Sequence, residues 1–141
     1  MSFETKFDKS SCYYLDGEDN TTFLSKLEEL ASREEVVTVD LETTGLNPLK
    51  DQISLIGVGV NDKESGWNCF LFDQLAHDFT KTLSPLLESK KTYKLGHNFK
   101  FDWSFLWYRM GIDCQPILDT MLAAIVCEYG TMQEKGRWSL A

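Results

Sequence analysis

Val36-Val37-Thr38-Val39-Asp40-Leu41-Glu42-Thr43-Thr44-Gly45-Leu46 is the stretch on which the reading of this chain turns. Its opening, Val36 to Leu41, is a short β-branched run of the kind that forms a strand, and Gly45, Asn47 and Pro48 supply the turn behind it. Side chains alternate across a strand, so Asp40 and Glu42 emerge on one face, about 7 Å apart by the strand rise. Two anions at one end of a buried strand cost free energy unless one is protonated or a divalent cation neutralises them. A hard cation such as Mg²⁺ or Mn²⁺, which takes oxygen ligands, meets that need. With 22 acidic residues in 141, about three acid-x-acid pairs arise by chance, so the pair alone carries little. Its place is what counts: the pair closes an apolar strand and leads into a Gly-bearing loop, where sites are commonly built. The plain alternative is two solvated carboxylates at a strand exit.

Working outward, Ile53 to Val60 and Trp67 to Phe72 are two more apolar runs, parted by Asn61 and Gly66, so three neighbouring antiparallel strands are expected. Upstream, Phe23, Leu24, Leu27 and Leu30 fall at helical spacing within Thr21 to Ala31, after the cap-like Asn20. Downstream, Leu75 to Leu87 reads as a helix despite Pro85, and Thr92 to Gly96 as a short strand. Phe101 to Met110 follows as an aromatic-rich helix closed by Gly111, and Asp119 to Cys127 as a helix with Asp119 at its N-cap. The order β-β-β-α-β-α-(β)-α predicts an α/β fold, a mixed sheet flanked by helices of the ribonuclease H-like kind.

Length and composition bound the rest. At 141 residues, with 43% hydrophobic residues and neither repeat nor linker, one folded domain spanning 1–141 is expected. A net charge of -8 and a pI near 4.7 exclude a broad basic surface for nucleic acid, so any such contact must be local. Lys81, Lys90, Lys91, Lys94, Lys100 and Arg109 form one local basic segment. Cys12, Cys69, Cys114 and Cys127 lack metal-ligand or redox spacing and read as free thiols. The longest apolar run is too short to span a bilayer, so the expected setting is soluble, reducing and cytoplasmic, with no membrane partner.

A second segment, Lys94-Leu95-Gly96-His97-Asn98-Phe99-Lys100-Phe101-Asp102, supports the first. A strand ends here and a helix begins, and Asn98 and Asp102, four apart, share a helical face. Asn98 also reads as a helix N-cap, Asp102 as a complement to the helix dipole, and His97 as a structural histidine. Trp103, Phe105, Leu106 and Trp107 read as core, because an aromatic helix face beside a sheet usually is.

Together these residues carry a resemblance. Asp40-x-Glu42 with Thr43 to Pro48, and Gly96 to Asp102, resemble the first and second exonuclease motifs of the DNA polymerase I branch of the DEDD (DnaQ-like) superfamily of 3′-to-5′ exonucleases. Asp51 to Val60 and Leu118 to Ala124 are also similar to that pattern, so the likeness runs from about Phe23 to the end. It implies hydrolysis of the last phosphodiester at a DNA 3′ end by a two-metal site using Mg²⁺ or Mn²⁺, with Asp40, Glu42 and Asp102 as ligands and catalytic residues. It also implies that Leu46 wedges against terminal bases, and that Thr43 and Asn98 contact substrate. A wedge selects single-stranded or frayed ends, since unstacking a paired base costs a few kcal/mol.

The likeness stops short of the third motif, Tyr or His, three residues, then Asp. Tyr129 is followed four residues on by Gln133 and Tyr108 by Ile112, no Asp follows Asp119, and Glu128 and Glu134 fall in the wrong part of the pattern. Arg137 to Ala141 resembles the start of the next family segment. The expectations are therefore a C-terminally incomplete domain, little activity from the chain alone, and apolar surface left uncovered near Met121, Leu122, Ile125 and Val126 that recruits the remaining polymerase chain or a second copy. The alternatives are a non-catalytic nucleic-acid- or partner-binding module on the same scaffold, and an RNA-trimming relative.

Overall fold

A computed structural model describes residues 3–7, 10–17 and 20–128. Tyr129, Gln133, Glu134 and the stretch from Arg137 to Ala141, on which the reading of the third motif rests, lie outside the described residues. The elements are β1 (Phe3–Phe7), β2 (Ser10–Leu15), α1 (Thr21–Arg33), β3 (Val36–Thr43), β4 (Ile53–Asp62), β5 (Gly66–Asp73), α2 (Thr80–Leu87), β6 (Tyr93–Gly96), α3 (Lys100–Phe105), a π-helical turn (Leu106–Met110), β7 (Ile117–Asp119) and α4 (Thr120–Cys127). The strands make one mixed sheet in the order β1-β2-β5-β4-β3-β6-β7.

Period-2 patterning decides which side of that sheet is the core. On β3, Val37, Val39 and Leu41 are buried while Asp40 and Glu42 are exposed; on β4 and β5 the buried set is Ile56, Val58, Val60, Phe70 and Phe72. Each such side chain contributes about 1.5–3 kcal/mol on burial, so a one-residue slip of β3 would exchange three apolar groups for two carboxylates in the core. Helices α1 and α2 cover this face. Leu27, Leu30 and Ala31 of α1 and Leu83 and Leu87 of α2 belong to the same core, Phe23 packs on Tyr13, and Phe79, just before α2, meets Phe72 edge-on.

The three central strands are antiparallel, as expected, with Glu42 opposite Leu55 and Thr43 opposite Ile53. The parallel partner β6 pairs with β3 only over Val36 to Thr38. From Val39 onward β3 therefore has no strand on that side, and the site is built in this gap.

Several expectations are corrected. The polar N-terminus forms the β1–β2 hairpin, whose second strand lies parallel to β5. The helix expected from Leu75 begins only at Thr80. The Asp73 carboxylate accepts the N–H groups of Leu75 and Ala76, and that of Asp78 accepts the Thr80 N–H and hydroxyl, so two turns replace the first helical turns. Helix 101–110 becomes α3 followed by the π turn, closed by Gly111 in the left-handed region (φ 68°). Phe105 and Leu106 are core, but Trp107 is exposed and stacks on the half-buried Trp103. Lys94 leaves the basic surface altogether: it is fully buried.

The four cysteines are free, although Cys12 and Cys69 stand opposite each other on β2 and β5. Helix α4 has no buried residue; Leu122 and Val126 are exposed and Met121 and Ile125 half-buried, so the apolar surface expected there is uncovered among the described residues. No helix among the described residues is long and apolar enough to cross a membrane.

Candidate active site

Where β6 diverges, the strand β3 would present an unpaired N–H at Leu41, and an unmatched backbone donor inside a fold is costly. Asp102 resolves this. Its Oδ1 accepts the Leu41 N–H at 3.0 Å, which fixes the carboxylate at the peptide between Asp40 and Glu42. Helix α3 places it there, starting right after the β6 end and burying Asp102 and Phe105 together. Gly96 permits the tight exit, since a Cβ there would collide with the Phe99 ring.

Burial, then the nearby charge of Asp40, pushes the Asp102 carboxyl from its ordinary value up to about 6; Asp119 adds a smaller push, and the Leu41 N–H opposes it. The rise reports first the burial of this carboxyl and then the negative charge of Asp40 beside it. The three expected ligands thus share one end of the sheet: two exposed carboxylates on β3 and a buried one bonded between them.

The turn into α3 is held by a residue with a larger role than its sequence reading. Asp119 caps α4 as expected, accepting the N–H groups of Met121 (2.9 Å) and Leu122 (3.4 Å). It also accepts those of Asn98 (3.0 Å) and Phe99 (2.8 Å), so one carboxylate ties the β7–α4 junction to the β6–α3 turn. Asn98 is not the N-cap of α3. It sits in the left-handed region at φ 56°, which Asn tolerates, and Phe99 takes the cap position. The Thr120 hydroxyl gives its single proton to the Gly96 carbonyl (3.1 Å), so His97 Nδ1, 2.9 Å away, is the donor to Thr120. His97 is held as a structural residue.

The loop after Glu42 is stiff. Thr44 and Gln52 bond across it in both directions (2.9 Å each), and the Asn47 carbonyl accepts from Lys50 and Asp51. The Asp51 carboxylate accepts the Asn47 N–H (2.8 Å), and a Cβ on Gly45 would strike that carboxylate. Thr43 donates its hydroxyl to the Gly45 carbonyl at 2.7 Å. This frame holds Leu46 at 84% exposure and Leu49 at 67%. Ordering an exposed apolar residue on a braced loop gains nothing for the core, so Leu46 is free to meet a ligand.

Among the described residues no three His, Cys, Asp or Glu side chains converge closely enough to hold a metal ion already. The donors nevertheless suit one: all are carboxylate oxygens, and the raised Asp102 pKa marks a place where a cation would relieve repulsion.

Comparison with known proteins places the fold and the family. A 35% identical stretch of 72 residues, half of this chain and 39% of the relative, is shared with an uncharacterized protein of Methanocaldococcus jannaschii. Among solved structures the fold is similar to Escherichia coli RNase D (22% identity, TM-score 0.65, covering 86% of this chain and 30% of that one). It is also similar to Trypanosoma brucei RNase D in complex with RNA U12 (22%, TM-score 0.64, 81% and 39%) and to Brucella melitensis NrnC with bound Mg²⁺ (21%, TM-score 0.56, 79% and 63%). The chain spans less than two thirds of each of these relatives. A family model described as 3′-5′ exonuclease matches residues 17–141, taking in β3, the loop behind it and the whole of α3, and by that match the chain belongs to the 3′-5′ exonuclease family.

Proposed function

We propose that the chain is a single 3′-to-5′ exonuclease unit of a DNA polymerase I-like protein, which hydrolyses the terminal phosphodiester of single-stranded or frayed DNA ends. The observation that supports it best is the Asp102 carboxylate bonded to the peptide between Asp40 and Glu42, with its pKa raised to about 6 partly by Asp40. In this reading Asp40, Glu42 and Asp102 hold Mg²⁺ or Mn²⁺. Bound divalent cations would acidify an attacking water and stabilise the leaving 3′ oxygen.

The rest is the work of the chain's own groups. Asp102 must be ionised to take a cation, so function rises with pH through about 6. The backbone bond from Leu41 keeps that carboxylate from rotating away while it titrates. Leu46, braced by the Asp51–Asn47 contact, inserts beside the terminal base and favours ends that are already unstacked. Thr43 and Asn98 flank the carboxylates on the β3 loop and the β6–α3 turn, in reach of the terminal nucleotide. With three carboxylates from the described residues, the chain alone is weakly active or inactive. A fourth carboxylate supplied in trans, by a partner or a second copy seated over the exposed Leu122 and Val126 of α4, would complete the set.

The test is Mg²⁺-dependent shortening of an end-labelled DNA strand. The expected result is slow or no shortening by the chain alone, saturable Mn²⁺ binding, and loss of that binding in Asp40→Ala. Absence of Mn²⁺ binding by the wild-type chain would favour a non-catalytic binding module. The likeness to RNase D favours a second reading, RNA trimming, and faster shortening of RNA than of DNA of the same sequence would establish it over the first.

A further inference from the structure

The acidic chain must meet a polyanionic strand somewhere, and the described residues narrow the place. Lys94 is buried, and Lys90 and Lys91 precede β6 at the end of the sheet opposite to the carboxylates. Lys100, which opens α3, and Arg109, in the π turn that continues the helix of Asp102, are both exposed towards the carboxylate end, and of the two it is Arg109 that the fold anchors. Its Nε donates to the carbonyl of Asp51, the residue that braces the Leu46 loop. That carbonyl is its one partner among the described residues. A guanidinium anchored through Nε leaves its end-on edge, one N–H from each terminal nitrogen, facing away from the anchor, a fork that suits a phosphate.

Arg109 also lines a cleft of about 320 Å³ with Gln52, Ile53, Gln74, Leu75 and Met110. The cleft lies where β4 begins and β5 ends. Ile53 is the register partner of Thr43, next to the rung that pairs Glu42 with Leu55, so the cleft opens beside the acidic strand end. Gln74 is fixed as a wall, its amide donating to Asp78 and its carbonyl accepting from Phe79, both at 3.1 Å. The Gln52 side chain is exposed in the same cleft.

We infer that this cleft is a phosphate subsite for the substrate strand, in which Arg109, oriented by the Asp51 carbonyl, binds a backbone phosphodiester upstream of the terminal linkage. The subsite deepens the exonuclease reading and rests on it. It also couples two parts of the site, because the residue that grips the strand is bonded to the loop that carries Leu46. The π turn matters here: the added residue between Leu106 and Gly111 gives every position beyond Leu106 a different angular placement from that of a continuous α-helix.

The experiment is the fluorescence anisotropy of a labelled single-stranded oligonucleotide titrated with the 141-residue chain in Ca²⁺ over a series of salt concentrations. Arg109→Ala should weaken binding about tenfold, the effect of one charge-assisted contact, and lower the slope of log K against log salt by about 0.7. Arg109→Lys should keep the slope and recover part of the affinity, with thermal melting of both variants unchanged. Equal binding by Arg109→Ala, or weaker binding with an unchanged slope, overturns the subsite alone. If Asp40→Ala leaves binding and its cation dependence intact while Arg109→Ala weakens it, the cation reading fails and the subsite stands. If the wild-type chain binds no strand, both fall.

Discussion

Two charged side chains, eight residues apart in sequence, are both buried and opposite in meaning. Lys94 on β6 and Asp102 on α3 are 0% and 4% exposed. Lys94 is saturated: its ammonium donates to the carbonyls of Ser89 (2.8 Å), Thr92 (2.9 Å) and Gln115, so three donors meet three acceptors and the end of α2 is tied to the approach to β7. Burial still pulls its pKa below the usual lysine value. Asp102 is one bond from its strand and faces like charges from Asp40 and Asp119. A buried charge with every partner present is a clamp. A buried carboxylate beside further acids is where the proposed cation would bind, and that contrast separates scaffold from proposed site in this protein.

The largest effect should come from breaking the clamp. Lys94→Met takes the donor from three carbonyls, that of Thr92 buried and those of Ser89 and Gln115 partly so, and should lower stability by about 3 kcal/mol, read as a lower urea midpoint at unchanged slope. A loss under about 1 kcal/mol would mean that water replaces the ammonium. Next, Asp119→Ala removes an acceptor shared by four N–H groups and should cost about 2 kcal/mol, with faster amide exchange at Asn98 and Phe99 in the same variant.

The site residue should behave in the reverse sense. The folded-state pKa of Asp102 lies above its unfolded value, so folding is favoured when the group is protonated. The advantage is complete below about pH 4 and is lost as pH rises to about 6. Asp102→Asn keeps an oxygen acceptor for Leu41 and should therefore melt higher than wild type at pH 8, by about 3 °C, while losing cation binding. A wild-type chain whose melting temperature does not fall between pH 4 and 6, relative to Asp102→Asn, would contradict the crowding of charge described here. The smallest effect is expected on the loop: Leu46→Ala should change stability by less than about 0.5 kcal/mol, yet reduce the preference for frayed over paired ends.

These contrasts also show what could be read from the sequence. The core strands were legible as short β-branched or apolar runs bounded by turn residues over Val36 to Leu41, Ile53 to Val60 and Trp67 to Phe72. Asp40 and Glu42 were legible as a same-face pair because side chains alternate along a strand, and Asp119 as a cap by its place before an apolar run. The β1–β2 hairpin was not, since it joins the sheet through the pairing of Ser11 to Leu15 with Asn68 to Phe72, more than fifty residues away. The burial of Lys94 depends on carbonyls from two separate segments, Ser89 and Thr92 in the α2–β6 link and Gln115 before β7, and no local pattern announces that. The π turn was hidden because Leu106 to Met110 has unremarkable helical composition, and the left-handed Asn98 because its acceptor, Asp119, is 21 residues further on.

The central claim is that Asp40 and Asp102 share one patch of negative charge that a divalent cation neutralises. An NMR titration of the Asp102 carboxyl carbon tests it directly, in the wild-type chain, in Asp40→Asn and in saturating Mg²⁺. The account predicts a midpoint at about 6 in the wild type, a lower midpoint in Asp40→Asn and a lower one again with Mg²⁺. A midpoint near the ordinary carboxylate value under all three conditions would contradict it.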